Sequence, residues 1–436
     1  MKSGRRSFLK KAAGAGVGLI VIPSIIPSSA LGRDGHTAPS DRIVMGAIGV
    51  GSMGTGNLRN FLSKKEVQYI AVCDVDKKHF ERAKKIIDED QGNDACKIYP
   101  DYKEMLDNEK LDAISIALPD HWHSLISVAV ADKGIDIYGE KPLARSIVES
   151  RAIVKAVANN DVIWQTGSWQ RSTPNFHRAA ELVFSGKIGE VKYVEVGLPN
   201  GGPSIGTPPV MSVPEGLDWD MWLGPAPKVP YRGVSHWNWR WIMDYSGGQL
   251  TDWAGHHVDI AHWGLGLDRS GPISVEGEGV YPREGIYNVP VEYDFICHYK
   301  NGVKMRVANR GKLEHGMGVT WHGDEGWIHV SRGTLFASDK KILEIEIGSG
   351  DKHLYKSDDH QQNFLDCVKS RKETITPAEI AHRSISVALL GEIAMLTNAK
   401  LDWNPDKERF INNENANRLL AKPYRDPWNW EMIHKR

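Results

Sequence analysis

The sequence predicts an α/β fold in two parts, a parallel sheet covered on both faces followed by a strand-rich half. Two observations carry this. From residue 41 to about 165, strand and helix patterns alternate, as a parallel sheet with crossover helices requires. After about 166, strands of alternating polarity dominate. In order, the first part shows strands at 43–48, 68–73, 112–117, 135–138 and 162–166. Helices fall between them at 53–63, 77–89, 102–107, 122–133 and 145–159. The second part opens with a helix at 174–185, ended by Gly186. Strands follow at 190–197, 273–280, 291–299, 302–309, 318–321 and 326–330, with a hairpin signal at Lys300-Asn301-Gly302. Helices at 358–370 and 377–397 close the chain. The domains are thus 41–165 and 166–436, after a leader at 1–32 and a polar linker at 33–40.

The first turn is chemically specific. An apolar run, Ile43 to Ile48, stops at Gly49-x-Gly51-x-x-Gly54, and the next apolar run, Tyr69 to Cys73, ends in Asp74. Gly49 permits a tight turn, Gly51 leaves room for a pyrophosphate, and Gly54 lets the following helix pack close. The phosphates would rest on the helix N-terminus. Asp74 would bond a ribose diol and repel a 2′-phosphate, which favours NAD over NADP. Lys77 and Lys78 are weak counterweights on an exposed helix.

The bulk composition is that of a globular protein. A net charge of -1 implies no basic face for nucleic acid. Four scattered cysteines without a CxxC pair argue against a zinc ribbon, an iron–sulfur site or a disulfide scaffold. Arg5-Arg6-Ser7-Phe8-Leu9-Lys10 precedes a soft apolar stretch from Ala12 to Ile26, then small residues at Ala30 and Gly32. This is the plan of a signal peptide, and the paired arginines resemble a twin-arginine export signal. The expectation is a periplasmic protein without stable membrane insertion after cleavage. No other segment reads as long and apolar enough to span a bilayer.

Three stretches carry candidate chemistry. Residues 198–245 form a long loop rich in Gly, Pro and Trp, either a pocket wall or rings packed on the sheet. Within it, His236 and Arg240 could reach a substrate hydroxyl or anchor the loop. Tyr138-Gly139-Glu140-Lys141-Pro142 ends a parallel strand, where ligands bind in open α/β sheets. A lysine there can hold a substrate oxygen. Gly247 to Asp259 reads as a helix from Asp252 onward, placing Asp252, His256, Asp259 and Trp263 on one face. A histidine paired with a carboxylate can act as a general base. His256, His257, Asp259 and His262 do not converge on a helix as metal ligands would, so no metal is expected.

Together these motifs resemble the Gfo/Idh/MocA family of NAD(P)-dependent oxidoreductases. The match rests on the glycines, Asp74, Leu118-Pro119-Asp120-His121-Trp122-His123, Glu140-Lys141-Pro142, Gly186 to Glu190, and Gly247 through His256 to Asp259. Ala254, followed by Gly255, departs from the family's usual glycine two residues after the motif aspartate. The resemblance implies a Rossmann dinucleotide-binding domain plus an α/β domain with a large, mainly antiparallel sheet, whose open face often builds a dimer or tetramer. It implies Lys141, Asp252 and His256 as catalytic residues, and His123 near the nicotinamide. Gly49, Gly51, Ser52, Met53, Gly54, Asp74, Pro119, His123, Glu140 and Lys141 would hold NAD. His236, Trp239, Arg240, Asp252 and His256 would meet the substrate. The expected activity is hydride transfer between a sugar or glycoside hydroxyl carbon and NAD. The alternative is an NAD-dependent glycoside hydrolase that oxidises, eliminates and reduces with a retained cofactor, as some exported relatives do. A third possibility, a non-catalytic sugar binder, has no need of Lys141 and His256 together.

Overall fold

The computed structural model describes residues 41–429, apart from Pro203 and Ser235. The export segment and linker lie outside the described residues. Six parallel strands form the first sheet, in the order β3-β2-β1-β4-β5-β6. They are β1 (Ile43–Ile48), β2 (Val67–Cys73), β3 (Lys97–Tyr99), β4 (Ala113–Ile116), β5 (Asp136–Gly139) and β6 (Trp164–Thr166). The order reverses at β1, whose neighbours are β2 and β4, and a crevice opens at the carboxyl ends there. The helices between them are α1 (Ser52–Leu62), α2 (Lys77–Gln91), α3 (Tyr102–Asn108), α4 (Asp120–Asp132) and α5 (Ile147–Asn159). Asp76 caps α2 by accepting from the Lys78 amide, and Gly92 ends it at φ 66°. Strand β3, absent from the sequence reading, is three residues held by pairing with Ala71–Cys73.

The second sheet has nine strands, ordered β13-β12-β11-β7-β10-β9-β8-β14-β15. These are β7 (Val191–Leu198), β8 (Ser274–Val280), β9 (Glu292–His298), β10 (Lys304–Asn309), β11 (Gly318–Gly323), β12 (Gly326–Ser331), β13 (Thr334–Ala337), β14 (Leu401–Asn404) and β15 (Arg409–Phe410). Only β7 and β10 pair in parallel; the other neighbours are antiparallel. One face buries Val194, Val196, Phe295, Met305, Val307, Val319, Trp321 and Ile328. The remaining helices are α6 (Pro174–Phe184), α7 (Trp219–Leu223), α8 (Gly248–Leu265), α9 (Lys340–Glu344), α10 (His360–Ser370), α11 (Ala378–Thr397) and α12 (Glu414–Arg418). Helices α6, α8 and α11 pack against one another or on the buried face of this sheet. The opposite face carries charge: Arg306 donates to both oxygens of Asp294 at 2.9 and 2.7 Å and lies 3.9 Å from Glu195.

Three sequence expectations change. Helix α11 is long and apolar enough to cross a bilayer, contrary to the reading that no segment beyond the leader is. Its most apolar window is 83% buried inside the fold, so it is a core helix. Helix α8 begins at Gly248, one turn before Asp252. Helix α10 returns to the first sheet, where Phe364 meets Phe61 and Tyr138 edge to face, each with ring centres 5.9 Å apart. The 198–245 segment builds a small core of its own. Trp219 stacks on Trp222 with ring centres 4.7 Å apart, and Leu217, Tyr231, Trp239, Trp241 and Tyr245 join them.

Candidate active site

A cleft of about 330 Å³ runs along the carboxyl ends of β1, β2, β4 and β5, walled on its other side by the aromatic segment. Its floor is the glycine turn. Gly49 adopts φ 78°, and a Cβ there would meet the Ala117 carbonyl oxygen at 2.3 Å. A Cβ on Gly54 would lie 1.9 Å from the Gly49 carbonyl oxygen, so only glycine lets α1 approach. Gly51 differs, since a Cβ there would meet nothing nearer than the His79 ring at 3.8 Å. Its bare face looks into the cleft. Among the described residues, no side chain caps the α1 N-terminus, which leaves its first amides to an anion. Ser52 and Met53 line the same wall.

At one end stands Asp74. Its Oδ2 accepts from the Val50 amide at 2.8 Å and its Oδ1 from the Asp76 amide at 2.9 Å. These bonds fix the carboxylate at the cleft, as a ribose diol would require. His79 lies 3.4 Å from it, and that hydrogen bond raises the imidazole pKa against burial. His236 reaches over from the loop to within 3.7 Å of Asp76 Oδ2. It therefore stands at the Asp74 end, away from the place a substrate hydroxyl was expected. Asp76, His79 and His236 bring one ligand atom each within 4.8 Å, a grouping the sequence spacing hides because it joins α2 to a loop.

At the other end, three elements converge. Lys141, just past β5, donates to Asp252 Oδ1 on α8 at 2.6 Å and lies 3.4 Å from the Asp252 carbonyl. Burial pushes the Asp252 carboxyl up, but Lys141 and Arg240 outweigh it and hold the pKa below the usual range. Gly255 eases this approach, because a Cβ there would stand a tight 3.1 Å from Lys141 Cβ. Thus the glycine shifted by one position still serves the lysine. Glu140 accepts from Asn57 at 2.9 Å and is buried. Pro119 lines the cleft. His123 is not in the cleft wall; its nitrogens lie 2.7 Å from the Pro142 carbonyl and 2.9 Å from that of Leu118. It ties the turn after β4 to the turn after β5.

Residues 43–168 match the family model for an oxidoreductase NAD-binding Rossmann fold, and residues 205–430 match its C-terminal alpha/beta domain. The chain belongs to the Gfo/Idh/MocA oxidoreductase family. Levoglucosan dehydrogenase of Pseudarthrobacter phenanthrenivorans is 33% identical over 167 residues, 38% of this chain and 36% of that protein. A glycosyl hydrolase family 109 protein of Shewanella sp. (strain MR-4) is 28% identical over 164 residues, 34% of this chain and 36% of that protein. The aligned segments therefore span little more than a third of either relative. A levoglucosan dehydrogenase solved in complex with NADH and L-sorbose superposes with a TM-score of 0.63 at 17% identity, covering 83% of this chain and 99% of that one. The fold is shared, and in this Gfo/Idh/MocA chain the NAD-binding half is the part with the fingerprint geometry.

The family's motif histidine sits differently from the sequence expectation. His256 pairs with neither carboxylate on its helix face. Asp252 is taken by Lys141, and Asp259 by Arg171 at 2.7 and 2.9 Å. The His256 ring lies edge-on to Trp253 and Trp169, with centres 5.7 and 6.1 Å away. Its Nδ1 is buried without a partner, and it is not part of the cleft wall. Burial, then Lys141 and Arg332, hold its pKa well below the usual value. His257 stacks on the same Trp253, and His262 lies 2.6 Å from the Tyr299 hydroxyl. Asp120 is a cleft residue to which the sequence reading gave no role. Asp120, the first residue of α4, accepts from the Ser246 hydroxyl at 2.6 Å. Burial raises its pKa to about 7, against the opposing pull of that hydroxyl and Arg240. Its place between Pro119 and His123 in a quoted motif was a signal, but a partner 126 residues away was not readable.

Proposed function

We propose that this chain is an NAD-dependent oxidoreductase that moves hydride between the CH–OH carbon of a carbohydrate and the nicotinamide. The observation that carries the reading is the Lys141–Asp252 contact at 2.6 Å, at the inner end of the dinucleotide cleft. When bound, the nicotinamide supplies the hydride acceptor or donor. The residues that would hold the cofactor are the bare face of Gly51, the free amides of α1 and the fixed Asp74 carboxylate. Lys141 holds the reacting oxygen and stabilises negative charge as it develops. Asp252 anchors the ammonium. His256, one helical turn beyond Asp252, is assigned the hydroxyl proton by the family motif alone, since its neutral ring packs on Trp253 and Trp169 outside the cleft wall. The similarity to levoglucosan dehydrogenase supports a sugar substrate.

A second reading, NAD-dependent glycoside hydrolysis with a retained cofactor, is favoured by the similarity to the family 109 protein. That match covers 34% of this chain. Purified protein, its released cofactor identified by mass spectrometry, is offered a panel of sugars and glycosides. Net formation of NADH and a keto-sugar supports the oxidoreductase; free sugar and aglycone without net NADH supports the hydrolase. Neither product overturns both. We also propose export to the periplasm, which the resemblance of Arg5-Arg6-Ser7-Phe8-Leu9-Lys10 to a twin-arginine signal supports. Replacing Arg5 and Arg6 by lysine keeps the charge and should abolish export; undiminished periplasmic protein would contradict it.

A further inference from the structure

Arg240 lies in the cleft wall with its guanidinium against two indoles, 4.2 Å from the Trp237 ring centre and 4.3 Å from that of Trp239. Contacts of this kind occupy guanidinium surface without taking its in-plane N–H donors. Among the described residues, no acceptor takes a hydrogen bond from any of these nitrogens, and Nε is buried without a partner. The nearest carboxylate oxygen, Asp252 Oδ1, is 3.9 Å from Nε and already accepts from Lys141 at 2.6 Å. A second cation reaches the same carboxylate through space. Arg332 is held between Trp169 and Trp253, 4.6 and 4.4 Å from their ring centres, and its field acts on Asp252. Lys141, Arg240 and Arg332 thus all act on Asp252 at the reacting end, with the Asp120 carboxyl beside Arg240 and Lys141. A guanidinium held against aromatic rings with unsatisfied donors is a receptor for a planar anion.

We propose that Arg240 is a carboxylate subsite, and that the substrate is a carboxylated sugar such as a uronate. This rests on the sugar oxidoreductase reading above. The carboxylate takes the guanidinium edge as a two-pronged contact while a hydroxyl of the same sugar meets Lys141. Trp237, 58% exposed, offers indole surface to the ring's C–H groups. The other anion within the cleft would be the cofactor pyrophosphate. Its cradle is the α1 N-terminus, whereas Arg240 stands beside Asp252.

The test uses mature protein with NAD present and four probes: D-glucuronate, D-galacturonate, D-glucose and D-galactose. Binding is read by calorimetry and oxidation by NADH formation. Each uronate should bind about 10- to 100-fold more tightly than its neutral partner, as charge-assisted hydrogen bonds predict. Arg240→Gln should erase that preference, and Arg240→Lys should restore part of it, with NAD affinity unchanged in both. Circular dichroism identifies any variant that fails to fold, and the uronate–hexose comparison in unaltered protein stands without variants. Equal affinity for acid and neutral sugar, or binding of neither, overturns the subsite. Loss of NAD affinity in Arg240→Gln with the preference intact assigns the arginine to the pyrophosphate and also overturns it. Uronate binding without NADH formation keeps the subsite and sinks the oxidoreductase reading instead.

Discussion

Lys141 and Asp252 are 111 residues apart in sequence and 2.6 Å apart in space. A lysine acting mainly on developing charge should affect turnover far more than cofactor affinity. Lys141→Ala is expected to lower kcat roughly 10²- to 10⁴-fold, with NAD affinity, read by fluorescence titration, little changed. His256→Ala should fall in the same range. Near-normal turnover with a reduced melting temperature would make His256 a packing residue between Trp169 and Trp253. Asp120 gives a pH signature. Its pKa rises from 3.8 to about 7 in the fold, so the folded chain keeps a proton that the unfolded chain releases. Its contribution to stability is complete below about pH 4 and is lost as pH rises through 7. Asp120→Asn should flatten the fall in melting temperature over this window. It should also remove an inflection near pH 7 from kcat/KM, because the charge beside Arg240 and Lys141 no longer changes.

Elements explain why these residues meet. Turns after β4 and β5 deliver Asp120 and Lys141 to the same sheet edge, and α8 crosses them with Asp252 in its second turn. The glycine turn makes a prediction that separates folding from binding. Gly54→Ala drives a methyl group into the Gly49 carbonyl and should cost about 1–3 kcal/mol or more, read as a lower melting temperature. Gly51→Val fills open cleft, so it should weaken NAD binding while leaving the melting temperature near the parent value. Calorimetry of both variants checks the pair. The strands and helices around this turn were legible because their apolar runs are long and bounded by Gly or Asp. Strands β3, β13, β14 and β15 were not, being two to four residues long and held by neighbours. The fingerprint residues, Lys141 and Asp252 were legible from motif and spacing. The partners of His256 and His123, the far-end position of His236, and Asp120's role were not, because tertiary contacts decide them.

For the whole molecule, the charged face of the nine-stranded sheet is the surface through which we propose self-association as a dimer or tetramer. Arg306, with Asp294 and Glu195 around it, lies at its centre. Arg306→Glu places like charges together and should shift the protein towards monomer in light scattering, with turnover per folded chain retained. An unchanged mass would move the interface elsewhere. The central claim concerns the cleft and its inner end together, and single-turnover absorbance tests it most directly. Mature protein carrying NAD is mixed with the sugar acids and their neutral partners, alongside Lys141→Ala, and the near-ultraviolet band of reduced nicotinamide is followed. The account predicts that the band rises with at least one sugar, and that Lys141→Ala binds NAD yet stays flat. A variant that reduces NAD as fast as the parent, or a parent that releases sugar without any net rise, would contradict it.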